Sequence, residues 1–211
     1  MNKLFSYNLK QLIAFGAHLG HHTKKRAFFI NNALLGHRNN IDIINLNKTI
    51  ESLNLTIPII TEVINNSGKI LFVADNANYL PNIIKDFKHL KQPILTKTWI
   101  LGTLTNFTKT NHPSAISIDN LDRLPDLIVI INSTHPNLII EEAKSMEIPV
   151  ILFNDSNTNP QTSTYSIPTN DDSLDLTHLY LKIIKKTVLT AFAKYTLNFK
   201  NTILPRLDSN Q

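Results

Sequence analysis

The densest group of chemically capable side chains lies between positions 18 and 26, where His18, His21 and His22 are followed by Lys24, Lys25 and Arg26. Imidazoles at these spacings could ligate zinc, with Asp155 or Asp171 completing the shell from strand ends. That reading gives a metal-dependent α/β enzyme. Against it, three adjacent cations repel a divalent ion unless acids stand opposite them, and no HExxH helix supports the site. The same residues also suit a polyanion. Lys24, Lys25, Arg26 and Arg38 would contact phosphates while the histidines donate hydrogen bonds or stack. A third reading is a solvated basic loop, which these residues alone do not exclude.

Charge is distributed unevenly along the 211 residues, whose net charge is +5. Residues 1–50 hold seven Lys/Arg against one acid, and residues 119–175 hold two against ten. Residues 176–211 return to six against one. A basic amino-terminal third and a basic carboxyl-terminal helix point to nucleic acid on one side of the fold. The acidic stretch between them is a surface for solvent or a protein partner.

Other chemistries lack their parts. Neither GxGxxG nor GxxxxGK[ST] occurs, and the five glycines are scattered, so no backbone loop can cradle a pyrophosphate. No GxSxG elbow surrounds Ser114, Ser117, Ser133 or Ser156. The absence of cysteine excludes disulfides, thiolate metal sites and cysteine nucleophiles, and it suits a reducing compartment. The adjacent acids Asp171 and Asp172 read as caps for a helix start, where carboxylates accept free N–H groups. Trp99 and Phe107 flank Gly102 in WILGTLTNF, either as a stacking surface or as a buried plug. No catalytic residue and no cofactor is expected.

The elements that must position these residues follow from period and punctuation. A short helix is predicted over 4–15, with Gly16 as its left-handed cap. The stretch His18–Arg26 has no period and reads as a loop. A strand is predicted at Ile41–Asn45, then a helix capped by Asn47 and ended near Gly68, with Pro58 kinking or breaking it. Strands follow at Lys69–Ala74, Ile94–Lys97, Asp126–Asn132 and Pro149–Asn154, alternating with helices near 77–90 and 136–146. A turn-rich stretch then leads to Asn170 or Asp171 as cap of a last helix reaching about Thr196. The runs ILFVA, LIVII and VILF are apolar at every position, as in strands covered on both faces. The fold class is therefore α/β, a three-layer doubly wound, mainly parallel sheet. One domain is expected over 1–204, with a loop at 107–123 and a frayed tail at 205–211. No apolar run is long enough for a membrane span.

Six segments, in order, resemble the family of the second protein of the small ribosomal subunit. They are LIAFGAHLGHHTKKR (12–26), GHRNNIDIINLNKT (36–49), ILFVADN (70–76), WILGTLTN (99–106), LPDLIVIINSTHPNLIIEEAKSMEIPVILFNDSN (124–157) and YSIPTNDD (165–172). The resemblance implies a flavodoxin-like sandwich that binds small-subunit rRNA and neighbouring ribosomal proteins, with no catalysis and no free homo-oligomer. It marks His18, His21, His22, Lys24, Lys25, Arg26, His37, Arg38 and Lys48 as the expected RNA-binding set. Members of that family begin just before the first of these segments, so no cleavable import sequence is expected here. Asn makes up about one residue in eight, and Ile and Lys are also frequent, so the codons lean to A and T. Together these features imply a protein made within a mitochondrion, on its matrix-side ribosome.

Several positions depart from the family. The helical hairpin expected after WILGTLTN is reduced to 107–123, and Pro113 with the β-branched residues around it favours an irregular loop. Thr98 stands for the family's Arg, Leu101 for a Gly, Arg26-Ala27-Phe28 for Trp-Asn-Pro, and Glu147 for the Gly that ends a helix.

Overall fold

The computed structural model describes residues 9–75, 77, 81–107, 118 and 121–203, apart from the side chains of residues 83 and 195–203. Within these residues the chain builds two sheets. The smaller is antiparallel, in the order β1 (Leu19–His22), β3 (Ile41–Ile44), β2 (Leu34–Arg38). The larger is fully parallel, in the order β5 (Ile94–Leu95), β4 (Ile70–Ala74), β6 (Leu127–Asn132), β7 (Val150–Asn154), β8 (Tyr165–Pro168). That order places the first strand between the second and the third, as in flavodoxin-like sheets. The three-layer α/β expectation is met.

The continuous apolar strands split their side chains between two cores. Ile70, Phe72, Leu127, Val129, Ile151 and Phe153 face one way, toward α2 (Leu46–Asn65) and α5 (Leu174–Ile203). Leu71, Val73, Ile128, Ile130, Val150 and Leu152 face the other, toward α4 (Pro136–Ser145). Successive residues of a strand point to opposite faces, so only strands apolar at every position can serve both cores. α1 (Leu9–Ala14) and α3 (Pro81–His89) lie on the α2–α5 side, through Leu12 and Phe87. On the α4 face the second cover is a loop rather than a helix, and its Trp99 and Leu104 are buried.

That loop is pinned by one carboxylate. Buried Glu142 on α4 accepts from Trp99 Nε1–H at 3.1 Å, Gly102 N–H at 2.7 Å and Leu104 N–H at 3.0 Å. Trp99 is thus the plug of the two readings offered by the sequence. Gly102 has φ +91°, a conformation that favours glycine. Leu101 beside it is 67% exposed and meets little resistance.

Helix ends recur in one form. The N–H two residues past the cap returns to the carbonyl of the last turn in Ala17→Leu12, Gly68→Val63, Gln92→Phe87 and Ile148→Ala143. The left-handed residue between is Gly16, as predicted, but elsewhere it is Ser67, Lys91 or Glu147. Gly68 is required for a different reason, because a Cβ there would lie 2.5 Å from Val63 Cγ1. Glu147 at φ +57° carries a Cβ in the left-handed region, where a side chain is strained. Glu147→Gly should therefore raise stability by about 0.5–1 kcal/mol despite glycine's freer unfolded state. A urea midpoint at or below that of the parent would count against this account.

Several sequence expectations are corrected. The 18–26 stretch is not a loop but β1 followed by a 3-10 turn at Thr23–Lys25. β2 and β8 had no counterpart in the reading. α2 is capped by Asn45, whose side chain accepts from Asn47 N–H, rather than by Asn47. The helix also runs through Pro58 without a break. Pro58 lies on the exposed face, where the carbonyl it leaves without a donor meets water. α5 starts at Leu174, and Ser173 rather than Asn170 or Asp171 occupies its cap, accepting from Leu176 and Thr177 N–H. Its carboxyl end extends past Thr196, to Ile203. The start of the predicted first helix, most of the 107–123 loop and the tail from 205 lie outside the described residues. Among the described residues, no helix is long and apolar enough to cross a membrane.

Candidate nucleic-acid interface and the adjoining carboxylate cluster

β1 divides the histidines between two environments. His21 and His22 are neighbours in a strand, so their side chains leave on opposite faces. His21 turns inward to the carboxyl ends of β7 and β8. Its Nδ1 lies 3.0 Å from Asp155 Oδ2, off the line of an N–H···O bond, and its Nε2 lies 3.3 Å from Asp172 Oδ2. Its backbone N–H donates to Ser156 Oγ at 2.8 Å. Close approach here depends on Gly20, where a Cβ would stand 2.8 Å from Ser156 Oγ and 3.1 Å from Asp155 Oδ1. His22 turns outward and is exposed, and its Nδ1 accepts from Lys24 N–H at 3.2 Å. His18 is half-buried.

Asp171 is not the helix cap expected of it. Ser173 holds that place, and the ligand-capable atoms of His21, Asp155, Asp171 and Asp172 lie within 4.8 Å of one another. Burial, followed by repulsion from Asp155 and Asp172, pushes the Asp171 carboxyl up to about 7. Burial also raises Asp155, against the opposing pull of Ser156 N–H and His21. One imidazole and three carboxylates form a mixed nitrogen–oxygen donor set able to hold a divalent cation, which would relieve the repulsion. The sequence offered three histidines with Asp155 or Asp171. The fold supplies one histidine with both acids, adds Asp172, and leaves His18 and His22 out of the group.

These shifts have a definite sign. Asp171 holds its proton in the folded chain up to about pH 7, whereas the unfolded chain releases it near the ordinary carboxylate range. Its contribution to stability is complete below about pH 4 and is lost as pH rises toward 7 and above. In metal-free buffer, Asp171→Asn should flatten that slope and leave the variant more stable than the parent at pH 8, by on the order of 2–3 kcal/mol. Urea titrations at pH 5 and pH 8 measure it, and parallel profiles for parent and variant would contradict it.

The basic residues also separate. Arg26 donates from Nε to Asp42 Oδ2 at 2.9 Å and from Nη2 to Asp42 Oδ1, a two-pronged pair. Asp42 is fully buried and raises the Arg26 pKa through that hydrogen bond. The sequence grouped Arg26 with the phosphate contacts, but the fold commits its guanidinium to holding β3 to the 3-10 turn. Lys48 pairs with Glu51 at 3.0 Å on the surface of α2. Lys24, Lys25, His37 and Arg38 are exposed, and among the described residues no carboxylate pairs with them. His37 and Arg38 lead into the two-residue turn Asn39–Asn40, both at positive φ, which asparagine tolerates.

A family model, ribosomal protein S2, matches residues 12–116 and 109–191. The chain belongs to the ribosomal protein S2 family. It is 30% identical over 220 residues to small ribosomal subunit protein uS2 of Marinobacter nauticus, covering 87% of this chain and 88% of that one. To the protein of the same name in Gluconobacter oxydans it is 28% identical over 219 residues, with 87% and 82% covered. Both relatives are bacterial proteins. Family membership makes the chain a structural, non-enzymatic constituent of the small ribosomal subunit. The histidine–carboxylate cluster is accordingly a feature of a structural protein rather than a hydrolytic centre.

Residues 26–28 have physical roles in this S2 protein. Arg26 ties down Asp42, and Ala27 N–H donates to Ser156 O at 2.8 Å. Phe28 stands 82% exposed against the edge of Phe29. Sequence reasoning missed Asp42, Ser156 and Glu142, which organise the site and its support. Asp42 carried the one available signal, since a lone acid in a basic segment of alternating apolar residues is a candidate for an internal partner.

Proposed function

We propose that this S2 protein serves the small subunit of a mitochondrial ribosome and grips small-subunit rRNA through its first fifty residues. One observation carries the reading. The only acid among residues 1–50 is Asp42, and it is buried against Arg26, so among the described residues of that segment every exposed side-chain charge is positive. Lys24, Lys25 and Arg38 then supply phosphate contacts, with His22 and His37 as donors beside them. His18, His21 and Lys48 lie within the same segment, but His21 faces carboxylates and Lys48 is already paired. The acid-rich stretch 119–175 meets neighbouring ribosomal proteins or solvent, since phosphates would be repelled there. The composition, leaning to residues with A- and T-rich codons, supports synthesis inside the organelle.

Replacing Lys24 and Lys25 together with Ala should weaken rebinding to small subunits stripped of this protein. The log–log salt slope should fall by roughly one unit per lost contact. An unchanged slope would remove both residues from the interface. For the compartment, radiolabelling in cells treated with cycloheximide should still mark the protein, and its label should sediment with the mitochondrial small subunit. Loss of label under cycloheximide alone would refute organellar synthesis.

A further inference from the structure

We infer that the outward face of the small sheet is a stacking platform for an unpaired base of small-subunit rRNA, an inference that rests on the rRNA reading above. Cross-strand partners share a face. The pairs His22↔Ile41 and Ile41↔Arg38 therefore form one row, and Leu19↔Ile43 and Ile43↔Gly36 form the next. This face points outward because Asp42 and Ile44, the alternate residues of β3, are buried on the other side. Leu19 and Ile41 remain 41% and 39% exposed. Above Gly36, at φ +150° in the bulge of β2, nothing lies within 4 Å of where a Cβ would stand.

The surface is thus apolar at its middle and bordered by an imidazole and a guanidinium. Both are planar groups that stack on bases. The His22 ring is already oriented, because its Nδ1 accepts the Lys24 N–H. Phosphate recognition alone would need cations but not the exposed Leu19 and Ile41 between them. An acidic protein partner would satisfy the cations but not favour planar ones. A nucleobase flanked by its own phosphates meets both demands, with Lys24 next to the platform for the backbone charge.

Two measurements on the assembled particle test this. Native small subunits irradiated at 254 nm, then digested with nuclease and trypsin, should yield nucleotide adducts on the peptides carrying His22 and Ile41. Arg38→Lys, which keeps the charge and loses the plane, should weaken rebinding to stripped small subunits about tenfold while leaving the salt slope in place. Ile41→Thr should do the same. Both positions are exposed, and an unshifted thermal midpoint checks that the fold is retained. If Arg38→Lys and Ile41→Thr rebind like the parent while the Lys24/Lys25 double variant loses slope, the RNA is held by phosphates alone and the platform is overturned, though the rRNA reading survives. If neither set alters rebinding, the rRNA reading of this surface fails with it. Crosslinks from the platform peptides to a ribosomal protein instead of nucleotides would also overturn the proposal.

Discussion

Glu142→Ala should cost about 4 kcal/mol and release the Trp99–Leu104 loop from the sheet. The carboxylate accepts three N–H groups, and at each the loss leaves a donor with reduced access to water. An unmet buried donor costs about 1–3 kcal/mol, and the Trp99 and Leu104 side chains are themselves buried. The total is a large share of the roughly 5–15 kcal/mol that holds a domain folded. Glu142→Gln is the informative companion. Its amide keeps one acceptor oxygen but turns an NH2 toward donors, so about half of the loss should remain. Trp99 is the only tryptophan in the chain, so its emission reports the loop directly during urea unfolding. Red-shifted emission at zero denaturant in Glu142→Ala is expected, and parent-like emission with a parent-like midpoint would show that the carboxylate is dispensable.

The second large effect lies at Arg26. Removing the guanidinium strands the Asp42 carboxylate, which is fully buried, and breaking one side of such a pair typically costs about 3–5 kcal/mol. Arg26 is itself partly open to solvent, so about 3 kcal/mol is the better expectation for Arg26→Ala. Arg26→Lys keeps the charge but not the fork that engages both oxygens, and it should recover only part of the loss. The double variant Arg26→Leu, Asp42→Leu should come closer to the parent than either single one, since no charge is left buried. If the double variant were as unstable as the sum of the singles, the pair would not be the unit described here.

The parallel sheet was legible because ILFVA, LIVII and VILF are apolar without interruption, and only burial on both faces accounts for that. The small antiparallel sheet was not, and the reason is physical. β1 carries Gly20 and two histidines, β2 is exposed over most of its length, and neither shows an apolar alternation. The turn between Arg38 and Ile41 was the available clue, since two asparagines at positive φ join the strands. Asp171 was misassigned because a carboxylate three residues before a helix looks like a cap. Ser173 is by type an equally good cap, and nothing local shows which of them is used or that β1 brings His21 opposite. Pairings across long separations, such as Trp99 with Glu142 or His21 with Asp155, belong to the fold and leave no trace in spacing.

The helix ends at Ser67, Lys91 and Glu147 bear on the life of the free protein before assembly. Each holds a side chain in a backbone region that costs about 1 kcal/mol or more relative to glycine. The whole chain has five glycines, too few to supply every helix end with the residue it favours. Such a chain starts with a thinner margin in solution and regains it on docking, because binding to the folded form alone stabilises it by mass action. Copies left without a subunit should be cleared faster than docked ones. The amount of protein would then follow the number of assembling particles, with no separate control over its synthesis.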